Sequence, residues 1–185
     1  MQKNIRFYSL FLYFIAHHIC FSQSIKGFRI QDSLQDKSFA QLEKAYNKVK
    51  NKDQEKAVVY ANTILTKAKE ERNTAKLFDG YFLLFDRSGK DIKYTDSIRY
   101  KLKGIKNLDD LYYGYFINGR MYYTRSLYKE ALSSYLLALE YAQKNKNEKQ
   151  IVFSKKAIGA IKYAIEDYEG ALVIFRQNYQ YIKRR

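Results

Sequence analysis

The chain has 185 residues, 46% of them hydrophobic and 29% charged, with a formal net charge of +15. That length allows one domain with a sizeable core, and that balance excludes a disordered chain. Pro and Trp are absent and only eight Gly are available, which is little punctuation for an all-β fold and leaves helices uninterrupted, so the expected class is all-α.

Residues 1–22 follow the three-part plan of a secretory signal peptide. Lys3 and Arg6 give a basic start, residues 10–16 an apolar run, and Cys20-Phe21-Ser22 places small residues around a large one, with cleavage expected after Ser22. The run is well short of the roughly 20 apolar residues that span a bilayer, so a membrane becomes a partner only if this segment stays uncleaved. Export implies a periplasmic or extracellular mature protein. Cys20, His17 and His18 are the only Cys and His in the chain, and all three leave with the segment. A mature chain without thiol or imidazole has no Cys–His nucleophile, Ser–His–Asp triad, disulfide, or zinc site built on Cys or His. No metal or cofactor is expected, and the chain reads as a non-enzyme.

Residues 23–37 show no helical period and read as a flexible lead-in. From Ser38 onward the apolar spacing is helical. Phe39, Leu42, Ala45, Tyr46 and Val49 mark a first helix. Asp53 is placed to cap a second, carrying Ala57, Val58, Ala61, Ile64, Leu65 and Ala68. Thr74 is placed to cap a third through Leu77, Phe78, Tyr81, Leu84 and Phe85, and a fourth passes through Tyr94, Ile98, Tyr100 and Leu102. A fifth starts at Asn107 or Asp109, and the spacing predicts three more over 128–142, 149–165 and 168–182. Short turns between them imply antiparallel neighbours packed in sequence.

Gly119, Tyr128, Ala131 and Tyr135 recur about forty residues on as Gly159, Tyr168, Ala171 and Phe175. The chemistry of this repeat is packing: a Gly on one helix and an Ala at the crossing let two axes approach to roughly 8 Å. Ala57 and a degenerate copy near 91–98 extend the series to four hairpins. These copies resemble the tetratricopeptide repeat, over residues 38–185. Tyr115 stands for the usual Trp, Asn118 for the usual Leu, and Asn178 for the last Ala of the second copy. The resemblance implies a right-handed solenoid of about four antiparallel helical hairpins that binds a protein or peptide on its concave face. The first helix of each hairpin lines that face in such a stack, which nominates Tyr81, Tyr112, Tyr115, Asn118, Arg120 and Lys155 as partner-binding residues. Asn118 is foremost, because an amide can read a peptide backbone. With its exported start, the arrangement is also similar to the extracytoplasmic repeat regions of bacterial helix-turn-helix regulators and sensor kinases, implying a sensory or regulatory role in envelope signalling.

The charge supports an alternative: a basic adaptor for an anionic polymer, a membrane surface or nucleic acid. Nucleic acid is disfavoured, since Lys and Arg are spread along every helix without a dense cluster or a reader motif. Ser126 and Lys129 have a spacing used by some acyl enzymes, but fall in a turn and read as coincidence. Asp109-Asp110 and Glu166-Asp167 read as helix-start charges rather than an acid–base pair. The last helix, with Leu172, Ile174, Phe175 and Tyr179, holds more apolar residues than one face can hide. That end is expected either to continue in a longer protein or to self-associate.

Overall fold

A computed structural model describes Leu34 and residues 36–183. The expected signal peptide, with Cys20, His17 and His18, lies outside the described residues. Eight α-helices are found among them: α1 (Phe39–Val49), α2 (Gln54–Glu70), α3 (Thr74–Arg87), α4 (Lys93–Leu102), α5 (Leu108–Tyr123), α6 (Tyr128–Lys144), α7 (Glu148–Ala164) and α8 (Tyr168–Lys183). None is long and apolar enough to cross a membrane. Leu34 packs against Leu42 and Ile64, and the rest of the expected lead-in up to residue 33 lies outside the described residues.

Short polar side chains start most of these helices. Ser38 and Gln41 form a reciprocal capping box, the Gln41 N–H donating to Ser38 Oγ at 3.3 Å and the Ser38 N–H to Gln41 Oε1 at 2.9 Å. Asp53 caps α2 by accepting from Lys56 N at 3.0 Å. At α3 the cap is Asn73, which accepts from Lys76 N at 3.1 Å; Thr74 is the first helical residue instead. Asn107 and Asn147 cap α5 and α7 in the same way, and Asp167 accepts from Gly170 N at 2.9 Å at the start of α8. Asp109 instead ties α5 to the end of α6 and the start of α7, accepting from Asn145 and Gln150 side chains at 2.8 Å each.

Four of the seven turns share one backbone solution. Arg72, Ser126, Lys146 and Glu166 take left-handed φ values of 53°, 58°, 53° and 65°. The next N–H then donates five residues back, from Asn73 to Ala68, Leu127 to Tyr122, Asn147 to Ala142 and Asp167 to Lys162, at 2.9–3.0 Å. This closes the last carbonyls of α2, α5, α6 and α7 without a glycine, whereas α3 uses Gly89, at φ 70°, for the same purpose. The Ser126 of the Ser-x-x-Lys spacing is therefore a turn residue.

Each helix packs on the next along the chain, and α5 also touches α3 and α7. Apolar clusters fill the joints in order: Tyr46, Ala61 and Leu77 among α1–α3, Phe78, Ile98 and Met121 among α3–α5, then Tyr135 and Ile161 across α6 and α7. The repeated glycines seat rings. A Cβ on Gly119 would lie 2.8 Å from Tyr135 Cδ1, and one on Gly159 would lie 2.6 Å from Phe175 Cε1. Gly80 and Gly114 make a second kind of close approach, to the preceding helix: added Cβ atoms would meet Leu65 Cα at 2.9 Å and Leu102 Cδ2 at 2.6 Å.

At Gly80 the obstacle is backbone, which cannot rotate away. Gly80→Ala is expected to lower stability by about 1–3 kcal/mol in urea denaturation. Gly104→Ala, where nothing lies within 4 Å of the added carbon, should be neutral or gain about 0.4–1 kcal/mol through the unfolded chain.

Candidate functional site

α4 is the shortest of the eight helices, and its buried stripe is Thr95, Ile98 and Leu102 at i, i+3 and i+7. Tyr100, expected on that stripe from its spacing, is instead 73% exposed. A hydroxyl at position 95 hid the true spacing, because Thr95 Oγ1 satisfies itself on Ile92 O at 2.6 Å and can then be buried. Asp96, Arg99, Tyr100 and Lys103 are left on the outer side of α4.

α4 and α6 both pack on α5, and between them runs a groove of about 890 Å³. Its floor is one stripe of α5: Tyr115, Asn118 and Tyr122 at i, i+3 and i+7. Its walls are Arg99, Tyr100 and Lys103 from α4, and Lys129, Glu130 and Leu137 from α6. Asn118 is only 2% exposed, and its Oδ1 is buried without a hydrogen-bond partner. Such an atom costs about 1–3 kcal/mol relative to a satisfied one. Tyr115 beside it is stacked on Tyr141, with centroids 5.5 Å apart and planes 9° apart. Burial holds the Tyr115 hydroxyl above the ordinary phenol pKa, with the Arg99 guanidinium opposing.

A second groove of about 560 Å³ lies on the other flank of α4, between α2 and α4 over Tyr81 of α3. Asp96 and Tyr100 line both grooves, so α4 forms a ridge in one wider trench. Six basic residues border it, Lys69, Lys93, Arg99, Lys101, Lys103 and Lys129, against the carboxylates of Asp96 and Glu130. Two of the six are answered locally, Arg99 by Asp96 at 3.4 Å and Lys93 by Asp91 at 2.8 Å. The trench is therefore cationic, with a tyrosine floor.

The six residues singled out from sequence do not share a face. Tyr115 and Asn118 meet in the main groove and Tyr81 lies in its neighbour. Tyr112 is core, 7% exposed against Ala138 and Ala142. Arg120 points away on the other side of α5, where its guanidinium lies 4.3 Å over the Phe82 ring of α3. That side is closed by ion pairs: Lys76 bridges Glu43 of α1 at 2.5 Å and Asp79 of α3 at 3.0 Å, and Tyr113 of α5 donates to Asp79. Burial works against the Lys76 charge, yet Glu43 and Asp79 together hold its pKa above the usual value. Lys155 lines a separate recess of about 400 Å³ between α7 and α8. Sequence reasoning missed Arg99, Tyr100, Lys103 and Lys129. The available signal was that α4, read with its correct stripe, turns all its charge outward.

Burial pushes the Tyr112 hydroxyl up to about 12 from 10.0, partly opposed by the Ser154 hydroxyl beside it, and pushes Tyr113 and Tyr135 higher still. The unfolded chain ionises first, so stability conferred by these neutral phenols is present below pH 10.0 and is lost as pH rises towards 12. Urea unfolding between about pH 9 and about pH 12 should show that loss, and Tyr112→Phe should reduce it by on the order of 2 kcal/mol.

No family model matches this chain, and no curated protein or solved structure matches it either, so its likeness to the tetratricopeptide repeat rests on its own residues.

Proposed function

We propose that the chain is a non-enzymatic scaffold of tetratricopeptide-like hairpins, wound as a right-handed solenoid, that holds an extended acidic segment of a protein partner in the trench along α4. The observation that carries this reading is the buried, unpartnered Oδ1 of Asn118 in the floor of the groove. An extended peptide leaves one N–H and one C=O per residue unused, and a side-chain amide complements both. Tyr115, half-buried beside it, offers apolar area at low conformational cost on a helix already formed before binding, while the buried Tyr122 closes the floor. The basic rim favours an acidic segment and raises its rate of encounter. The signal-like residues 1–22 support export, and the repeat pattern behind an exported start supports a sensory or regulatory module of an envelope signalling system.

A basic adaptor for an anionic polymer or a membrane surface is the second reading, favoured by the excess of cations along the trench. The two differ in salt dependence. Counterion release weakens polyanion binding by about 10³-fold or more between about 50 and about 200 mM salt, whereas a peptide held by an amide and two rings is far less sensitive.

Affinity capture from an envelope fraction with wild-type protein, Asn118→Ala and Tyr115→Ala is the test. Both variants are expected to fold, since the Asn118 Oδ1 has no internal partner to lose. Each is expected to weaken retention of the captured partner by about tenfold or more, with retention persisting at the higher salt. Equal recovery by wild type and both variants would remove the groove from the binding reaction.

A further inference from the structure

The face of α8 that points away from α7 is apolar at its centre and charged at its flanks. Ala171 and Asn178 are buried, with Ile174 half-buried in the α7 joint, and Asn178 Nδ2 donates to Val152 O of α7 at 3.1 Å. Opposite them Glu169, Leu172, Val173 and Arg176 fall at i, i+3, i+4 and i+7, so they form one stripe. Leu172 is 48% exposed and Val173 54%. Each earlier second helix is covered: α2 by α3, α4 by α5 and α6 by α7. Among the described residues nothing covers α8 in this way, and neither Glu169 nor Arg176 makes an intramolecular ion pair.

The order of residues along the stripe is its own complement. Reversed end to end, Glu169 falls where Arg176 was, and Leu172 where Val173 was. We propose that α8 pairs antiparallel with α8 of a second copy of this chain, across a two-fold axis between Leu172 and Val173. That axis packs Leu172 against Val173 of the second copy and sets Glu169 against Arg176 twice over, as an isologous contact requires. It also carries Tyr179, 66% exposed, over Ile165, 51% exposed, at the end of α7 in the other copy. A parallel pairing would instead oppose Glu169 to Glu169 and Arg176 to Arg176, so the charges select the antiparallel form. A face shaped for a different chain has no need of this internal symmetry. The pairing does not rest on the reading of the trench, to which α8 contributes nothing.

Sedimentation velocity on the full chain, from about 1 to about 100 µM, tests the pairing through four variants. The wild type is expected to dimerise and Leu172→Glu to be monomeric. Glu169→Arg or Arg176→Glu alone should each weaken dimerisation roughly tenfold or more, because symmetry repeats the clash at two places. The double variant with both reversals should recover dimerisation to within about threefold of wild type. These side chains are exposed, so the helical circular dichroism should be unchanged throughout. A wild type that stays monomeric over the whole range overturns the proposal, as does a double variant that associates no better than either single reversal.

Discussion

Everything in this molecule depends on how closely its helices can approach, and that distance is set by side chains that are missing. Gly80 and Gly114 bring first helices onto the helix before, while Gly119 and Gly159 let the rings of Tyr135 and Phe175 lie against the hairpin's own first helix. Interiors are packed as densely as organic crystals, so one added carbon at such a point must be met by movement elsewhere. With the approach fixed, α5 comes into contact with both α3 and α7. α4 and α6, each packed on α5, then stand apart with the groove between them.

The groove inherits its chemistry from that spacing. A stripe of α5 that would be core in a closed bundle becomes a floor, and Asn118 sits on it with Oδ1 desolvated and unanswered. Asn178 is the instructive contrast. It too is a buried amide in a repeat position, but it donates to Val152 O and so ties α8 to α7. Asn178 is engaged by the fold, whereas Asn118 keeps an oxygen without a hydrogen-bond partner. The neighbouring faces of α5 divide in the same way: the Tyr113 side is neutralised by Lys76, Glu43 and Asp79, whereas the Asn118 side keeps an excess of cations.

The helices were legible because their apolar spacing is strong and no Pro interrupts it, and the paired glycines at 119 and 159 were legible because they repeat. Legibility failed wherever a polar side chain could satisfy itself locally. Thr95 is buried after bonding Ile92 O, which made α4 look as if it turned Tyr100 inward. At α3 the cap is Asn73, which accepts from Lys76 N, one residue before the Thr74 that the spacing suggests. The site suffered most from an assumption about faces. Residues of first helices were grouped as one surface, but Tyr112, Arg120 and Asn118 project in three different directions from a single helix. Register along α5 decides which of them a ligand can meet, and register is visible only once the neighbours of α5 are in place.

The unequal layering has a mechanical side. α5 is held against both α3 and α7, while the groove keeps α4 apart from α6. A change in the gap between α4 and α6 disturbs few packed atoms, whereas pulling α5 from α3 would break the close approach of Gly114 to Phe78. A segment lodged from α4 to α6 would therefore act as a splint, fixing the distance between those two helices.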